Sequence, residues 1–190
     1  MTTYSEWDEN EFPLGYLITI RTYGTWLHGD ERGSVDIHGK NIYGTPRIAQ
    51  NHDLQTRMNE EMNAEPFILN HEQIYAVDNE IRAVCSRRDY NLRALNVRTN
   101  HFHAVVSAQK EPELIANAFK SNATRCLRET GLISAETKVW SRGRSRRYLW
   151  KPWQLSGAVD YTLNRQGSDL LPSFDLWMEK YEQDGQKPKR

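Results

Sequence analysis

Two histidines separated by one residue are the first side chains whose spacing suggests chemistry. His101-Phe102-His103 opens the segment HFHAVVSA, whose β-branched and aromatic residues are typical of a β-strand. Strand residues i and i+2 share a face, so both imidazoles point the same way, while Phe102 points into the core. Two imidazoles with oxygen partners accept Mn²⁺, Mg²⁺, Zn²⁺ or Co²⁺ without selecting among them. The pair therefore indicates a metal site, with ordinary solvent-facing or core histidines as the alternative.

A tyrosine near the end of the last helical pattern is the second candidate. Tyr161 lies in the segment DYTLNRQG at 160–167, and two amides, Asn164 and Gln166, follow it. A phenol has a pKa near 10 and is a weak nucleophile at neutral pH. A metal that polarises a scissile phosphate compensates for that weakness, and one of the amides would complete its ligand set. The alternative for Tyr161 is a packed core tyrosine.

A basic and aromatic run is the third feature that suggests chemistry. Residues 139–153 read VWSRGRSRRYLWKPW, and no acidic residue interrupts positions 140–151. Its cations are Arg142, Arg144, Arg146, Arg147 and Lys151, and Lys120 and Arg125 on the preceding helix would extend the patch. Cations follow phosphates and aromatic rings stack on unpaired bases, so the run favours nucleic-acid binding. A surface hairpin with a few core aromatics is the equally weighted alternative.

Overall composition excludes several classes of protein. The 190 residues are 38% hydrophobic and 26% charged with a formal net charge of zero, so DNA binding would depend on local patches. The two cysteines lack the spacing of a zinc or redox site, and we expect both as buried thiols. The acidic start is unlike a signal peptide, and no run reaches the roughly 18 apolar residues of a membrane span. We expect a soluble, cytoplasmic protein without membrane contact.

The elements that must position these residues follow from periodicity and turn signals. Strands are predicted at 15–23, 90–98, 101–108 and 146–150, and helices from 71, over 111–129 and from 152 to 167. This order predicts an α+β fold, a ferredoxin-like split βαβ sandwich whose antiparallel sheet carries the helices on one face. We expect a single domain over 1–190 with loose termini at 1–13 and about 184–190. Residues 34–70 are expected to form an insertion or functional loop, either a lid or a DNA-specificity loop.

Four stretches together resemble a known family. They are Tyr23-Gly24-Thr25-Trp26-Leu27 with Gly29-Asp30-Glu31-Arg32-Gly33, residues 96–106 (NVRTNHFHAVV), residues 139–143 (VWSRG), and residues 158–161 through Gln166-Gly167. In order and spacing the chain resembles the HUH single-tyrosine transposases, and within them the REP-associated tyrosine transposases. The stretches span residues 15–167. The glycines of the first stretch suggest a close backbone approach, to DNA or to the protein itself.

The resemblance implies a specific reaction. His101 and His103 would bind Mg²⁺ or Mn²⁺ with a third, amide ligand from the tyrosine helix. Tyr161 would attack a DNA phosphate, giving a 5′-phosphotyrosine and a free 3′-hydroxyl, with no nucleotide cofactor because the bond energy is conserved. The substrate would be single-stranded DNA near a hairpin or palindromic repeat. Family members act as monomers or homodimers, so both states stay open.

The third ligand departs from the family pattern, in which the amide follows the tyrosine by four residues. That position is Arg165 here, while Asn164 lies three residues after Tyr161 and Gln166 lies five. The resemblance favours Gln166, and helical geometry keeps Asn164 as its rival.

Two functions follow from these observations. The first is metal-dependent nicking and strand transfer in the transposition of hairpin elements. The alternative, suggested by the offset amide, is a domesticated module that binds hairpin DNA without cutting it. An RNA-binding or metal-storage protein is a third and weaker hypothesis.

Overall fold

Within residues 12–25 and 62–165, four strands and three helices follow one another in the predicted order. The computed structural model describes residues 12–25 and 62–165, together with positions 53, 56 and 60. Its elements are β1 (Gly15–Arg21), α1 (His71–Arg87), β2 (Asn91–Val97), β3 (His101–Ser107), α2 (Pro112–Glu129), β4 (Ser145–Leu149) and α3 (Pro152–Asn164). Gln166, nearly all of both predicted loose termini and most of 34–70 lie outside the described residues. None of the helices in this part of the chain has the length and apolar character needed to cross a membrane.

The sheet places β3, with its two histidines, beside β1. The strand order is β2-β3-β1-β4, and all neighbours are antiparallel. Thr19 of β1 and Asn96 of β2 lie opposite His103 on either side. With α1 between β1 and β2 and α2 between β3 and β4, this is the ferredoxin-like split βαβ arrangement. The predicted α+β fold class is confirmed.

Local sequence signals explain where the elements around the site begin. Helix α1 is capped by Asn70, whose side-chain oxygen accepts a hydrogen bond from the Gln73 backbone N–H at 2.9 Å. In return, Gln73 Oε1 accepts a hydrogen bond from the Asn70 backbone N–H at 2.9 Å. This capping box satisfies backbone donors that have no intrahelical partner. Between β2 and β3, the Arg98 N–H donates to the His101 carbonyl at 2.8 Å. The tight Thr99-Asn100 connection predicted from the sequence therefore fixes the start of β3.

Helices cover both faces of the sheet, which corrects the prediction of one covered face. Helices α1 and α2 pack on the face that carries Ile18, Phe102 and Val106. Helix α3 packs on the opposite face, where Leu17 and Val105 are buried. The prediction is wrong for α3 because β1 and β3 carry apolar residues on both sides of the sheet. The apolar residues on the second side also have to be removed from water, and α3 covers them. The face covered by α3 is the face of the two histidines.

Gly24 is a position where only glycine fits. Its φ is +71°, and a Cβ there would lie 2.9 Å from Met62 Sδ and 3.0 Å from Pro66 Cα. The close approach expected from this glycine is therefore to the protein itself. Leu69 is buried, and its N–H donates to the Thr99 carbonyl at 2.7 Å. The described end of the 34–70 segment thus packs against the domain, and whether the segment is a lid or a specificity loop stays a prediction.

The two cysteines differ in their surroundings. Cys85 is buried in α1, and this burial raises the pKa of its thiol to about 11. Cys126 is only partly buried in α2, because its side chain lies at the margin of the packed stripe. The expectation of two buried thiols is confirmed for Cys85 and wrong for Cys126.

Candidate metal and nucleophile site

The rings of His101, His103 and Tyr161 lie side by side between β3 and α3. The His101 and His103 ring centroids are 4.7 Å apart. The Tyr161 ring centroid lies 5.5 Å from that of His103, with the two planes at 71°. His103 and Tyr161 each expose only 7% of their surface. The fold therefore brings together the two motifs that the sequence analysis singled out separately.

Small residues in α3 allow the tyrosine helix to approach the sheet. Gly157, Ala158, Tyr161 and Thr162 are its buried residues, and the spacing of three and four places them on one side of the helix. At the other end of the helix, Gly15 of β1 lacks a Cβ that would lie 3.0 Å from Leu155 Cδ1. Larger side chains at Gly15, Gly157 or Ala158 would hold α3 away from the sheet. The apolar contacts of α3 thus determine how close Tyr161 lies to His103.

Each histidine makes a hydrogen bond through Nδ1. His103 Nδ1 is 2.7 Å from Thr19 Oγ1, and His101 Nδ1 is 2.7 Å from Asn100 Oδ1. Because a carboxamide oxygen only accepts, Nδ1 of His101 carries the ring proton in that contact. Thr19 Oγ1 can donate or accept, and where it accepts from His103, Nε2 of each ring would be the nitrogen that holds a metal, which is the usual arrangement of metal-binding histidines. The donor set fits a divalent cation.

The third ligand stays a prediction. Asn164 is exposed, and its Nδ2 donates to Asp160 Oδ1 at 2.7 Å, so the side chain is directed back along the helix. Arg165, at the position of the amide in the family pattern, donates to the other oxygen of Asp160 at 3.3 Å. Gln166 lies outside the described residues. Within 12–25 and 62–165, no cluster of three or more His, Cys, Asp or Glu side chains suits a metal.

Asn96 holds the end of the tyrosine helix, a role that the sequence analysis missed. Its Nδ2 donates to the Thr162 carbonyl at 2.9 Å. Thr162 belongs to the last turn of α3, whose carbonyls have no intrahelical donor. Since Asn96 lies opposite His103 in the sheet, this bond ties the helix end to the histidine strand. The sequence feature that could have revealed this role is an amide in β2, the strand that precedes the HxH pair.

Replacing Asn96 by alanine is expected to loosen the last turn of α3. The Thr162 carbonyl would lose its only non-helical donor among the described residues, which costs about 1 kcal/mol of unfolding free energy. Hydrogen exchange should become faster at the C-terminal turn of α3 and stay unchanged in α1. Asn91→Ala, at the exposed start of the same strand, is the matched control. Unchanged exchange in α3 of Asn96→Ala would show that the bond does not hold the helix.

Two more polar side chains on β1 share the histidine face. In GYLITIR the residues Thr19 and Arg21 alternate with buried Ile18 and Ile20. Thr19 pairs with His103 and Arg21 pairs with His101, so both lie on the same side of the sheet as the imidazoles. The signal that could have identified them was two polar residues at spacing two on one face of an otherwise apolar strand.

The predicted DNA contacts on α2 are engaged within the protein. Lys120 Nζ donates to the carbonyls of Ser141 at 2.7 Å, Gly143 at 3.2 Å and Arg142 at 3.3 Å. Burial, and then the neighbouring Arg144, lower the pKa of Lys120. Arg125 on the same helix is exposed, and its Nη2 donates to Asn122 Oδ1 at 3.0 Å. Lys120 therefore supports the loop that leads into β4, and its contact with DNA stays a prediction.

The basic run divides between the two faces of β4. Arg144 donates to Asn117 Oδ1 at 3.1 Å, and Arg146 pairs with Glu113 at 2.6 Å, both toward α2. Arg147 lies opposite Leu17 and so shares the face of the histidines. Arg142 and Lys151 are exposed at the two ends of the run. Strand alternation thus places only part of the predicted patch on the side of Tyr161.

The aromatic residues of the run also divide. Trp140 packs edge-on against Phe102, and its Nε1 donates to Thr124 Oγ1 at 3.1 Å, so it belongs to the core. Tyr148 and Trp150 are 42% and 39% exposed, and their rings lie nearly parallel, 12° apart, with centroids separated by 6.4 Å. Trp153 is 39% exposed, and Lys151 Nζ lies 5.0 Å from its ring centroid. Three exposed rings and one cation therefore lie in β4 and in the segment that leads from it into α3.

Comparison with known proteins gives a family match over the middle of the chain. Residues 62–152 match the family model described as "Transposase IS200 like", a range that contains both histidines and ends before Tyr161. No curated protein sequence matches the chain.

Two solved structures are similar to this chain at low sequence identity. One is a chain assigned to the transposases from Deinococcus radiodurans, at 12% identity and a TM-score of 0.45, covering 88% of this chain and 100% of that one. The other is a REP-associated tyrosine transposase bound to a REP hairpin, at 13% identity and a TM-score of 0.49, covering 99% of this chain and 89% of that one.

Proposed function

We propose that this chain, whose residues 62–152 match the model of the IS200-like transposases, is a member of that family and nicks and rejoins single-stranded DNA. The observation that carries the proposal is that the His103 and Tyr161 rings lie together, with centroids 5.5 Å apart, beside the ring of His101. Tyr161 lies beyond the matched range, so this contact comes from the fold of the chain itself. It unites the candidate nucleophile with the candidate metal ligands.

The proposed reaction is a phosphoryl transfer to Tyr161. The phenolic oxygen would attack the scissile phosphorus, forming a P–O bond to tyrosine while the bond from phosphorus to the 3′-oxygen breaks. The phenol loses its proton to solvent or a base, and the departing 3′-oxygen takes one up. The products are a 5′-phosphotyrosine and a free 3′-hydroxyl, and attack by a second 3′-hydroxyl reverses the step with a new strand. No nucleotide cofactor is required.

His101 and His103 would hold Mg²⁺ or Mn²⁺ in this proposal, together with an amide for which Gln166 and Asn164 remain the candidates. Such an ion would supply Lewis-acid polarisation of the phosphate. The chain itself contributes the burial of His103 and Tyr161, which excludes water and strengthens electrostatic interactions at the site. It also fixes Tyr161 through the packing of α3, so that the phenol and the imidazoles face the same space.

The exposed aromatic edge formed by Tyr148, Trp150 and Trp153 would bind the unpaired bases of the substrate. Aromatic rings stack on bases irrespective of sequence, and Lys151 adds a cation for the backbone. Arg142 and Arg147 would extend this contact along the phosphates. The resemblance to REP-associated transposases supports a more specific proposal, in which the substrate is single-stranded DNA flanking a hairpin. The protein would act there as a monomer or a homodimer.

Replacing Trp150 by alanine is expected to weaken binding of a hairpin with a single-stranded flank. Loss of one stacked base costs about 1–3 kcal/mol, or roughly 5- to 150-fold in affinity, measured by fluorescence anisotropy with the labelled DNA. Tyr75→Ala is the matched control, because Tyr75 is 72% exposed on α1, away from β4. Equal affinities of the two variants and the wild type would remove the aromatic edge from the binding site.

The test of the proposed function mixes the full chain with labelled single-stranded hairpin DNA and Mn²⁺ and resolves the products on a denaturing gel. A slow-migrating covalent adduct that disappears with chelator supports the enzyme. A complex on a native gel without any adduct, across several hairpins, supports the non-cutting binding module instead. The specific observation that favours this alternative is Asn164, whose amide bonds to Asp160.

A further inference from the structure

We infer that Thr19 and Asn100 are positioning residues that select the ring tautomer and orientation of the two histidines, so that both present Nε2 to the same metal. The inference rests on the proposed function, because it assigns these side chains a part in the metal site proposed there. Neither residue has chemistry of its own that a sequence motif would reveal. Their importance comes from where they lie in the fold.

The first observation is the bond between Thr19 and His103. Thr19 Oγ1 lies 2.7 Å from His103 Nδ1, and the two residues are direct neighbours across the β1–β3 pairing. They are separated by 84 positions in sequence, so the bond depends on the assembled sheet. His103 is 7% exposed, which leaves water little access to replace the hydroxyl. A ring held through Nδ1 by a fixed strand cannot turn that nitrogen toward the metal without losing the bond.

The second observation is an equivalent bond on the neighbouring ring. Asn100 Oδ1 lies 2.7 Å from His101 Nδ1. The Asn100 carbonyl also accepts from the Thr22 N–H at 2.9 Å and from Thr22 Oγ1 at 3.1 Å. The backbone of Asn100 is therefore bonded to the residue that follows β1, which restricts where its side chain can lie. One residue of β1 and one residue of the turn between β2 and β3 thus hold the two Nδ1 atoms.

These contacts have a chemical consequence. A neutral imidazole carries its proton on one nitrogen and a lone pair on the other, and only the lone pair binds a metal. Asn100 Oδ1 can only accept, so it keeps the proton on Nδ1 of His101 and leaves the lone pair on Nε2. Thr19 Oγ1 can donate or accept, and in the inferred arrangement it accepts from Nδ1 of His103, which leaves the lone pair of that ring on Nε2 as well. Each tether also removes rotational freedom that binding would otherwise have to restrict. Both effects favour metal binding before any substrate arrives.

Thr19→Val tests the first tether because valine keeps the shape and the preference for strands but lacks the hydroxyl. We expect Mn²⁺ to bind this variant about 10- to 100-fold more weakly than the wild type, as measured by calorimetry with the full chain and Mn²⁺ alone. Thr19→Ser, which restores the hydroxyl, should return close to wild-type affinity. Ser145→Ala is the matched control, because Ser145 pairs with Thr19 on the other side and is exposed. It should leave the affinity unchanged.

Asn100→Leu should weaken Mn²⁺ binding in the same direction through His101. In the metal-free wild type, nitrogen-15 spectra of the neutral rings should show the proton on Nδ1 of both histidines, a result that does not depend on any variant. Mn²⁺ affinity of Thr19→Val equal to that of the wild type, or a proton on Nε2 of His103, overturns the inference. If His103→Ala binds Mn²⁺ as tightly as the wild type, the metal role in the proposed function fails as well. If His103→Ala loses Mn²⁺ affinity but Thr19→Val does not, only the role of the Thr19–His103 hydrogen bond is refuted.

Discussion

Tyr161→Phe is expected to abolish the covalent protein–DNA adduct while leaving hairpin binding nearly intact. The change removes only the phenolic oxygen, and the ring keeps its contact with His103 and its packing beside Ala158. Without that oxygen the P–O bond to the protein cannot form, so adduct formation should fall by about 10³-fold or more, to below detection. Loss of one hydroxyl should change the unfolding free energy by only about 1 kcal/mol. A denaturing gel measures the adduct and a native gel measures the complex.

Tyr90→Phe is the matched control for this experiment. Tyr90 is 8% exposed against 7% for Tyr161, and it belongs to the core on the opposite face of the sheet. The control should form the adduct at the wild-type rate. An adduct that persists in Tyr161→Phe, mapped by mass spectrometry to another residue, would contradict the role assigned to Tyr161. Loss of the adduct in both variants would indicate that general tyrosine packing, and not the nucleophile, had been tested.

The fold was predictable from sequence because its signals are local. β-branched segments, the Asn70 cap and the amphipathic pattern of α2 each report their own element, and their order then restricts the topology. The sheet face that α3 covers could not be predicted in the same way. Its buried stripe is short, and Gly157 and Ala158 resemble the residues of many helices, so only the assembled sheet shows which side needs cover.

The candidate site was predictable only in part, for a related reason. The spacing of His101 and His103 identifies a shared face without reference to any other strand. Thr19 and Asn96 act through partners 84 and 66 positions away, and no local pattern contains that relation. The cations of β4 show the same limit, since a run of arginines does not tell which of them, such as Arg146 with Glu113, will be paired within the protein.

His103→Ala is expected to have the second large effect, through metal affinity. His103 contacts both His101 and Tyr161, so its removal takes away one proposed ligand and the ring against which the tyrosine packs. Loss of a direct ligand should weaken Mn²⁺ binding by more than the roughly 10- to 100-fold typical of residues that only orient a ligand. Adduct formation should fall in parallel. Calorimetry with Mn²⁺ measures the affinity, and the denaturing gel measures the adduct at several Mn²⁺ concentrations.

The concentration dependence distinguishes a lost ligand from a damaged fold. If the variant fails because it binds the metal weakly, raising Mn²⁺ should restore part of the adduct by mass action, whereas a misfolded site would not respond. His71→Ala is the matched control, because His71 is exposed at the first residue of α1. It should keep both the affinity and the adduct. Wild-type Mn²⁺ affinity in His103→Ala would refute the metal site at the histidine pair. Tyr161 would then need another source of electrostatic assistance, for which Arg21, paired with His101 on the same face, is a candidate.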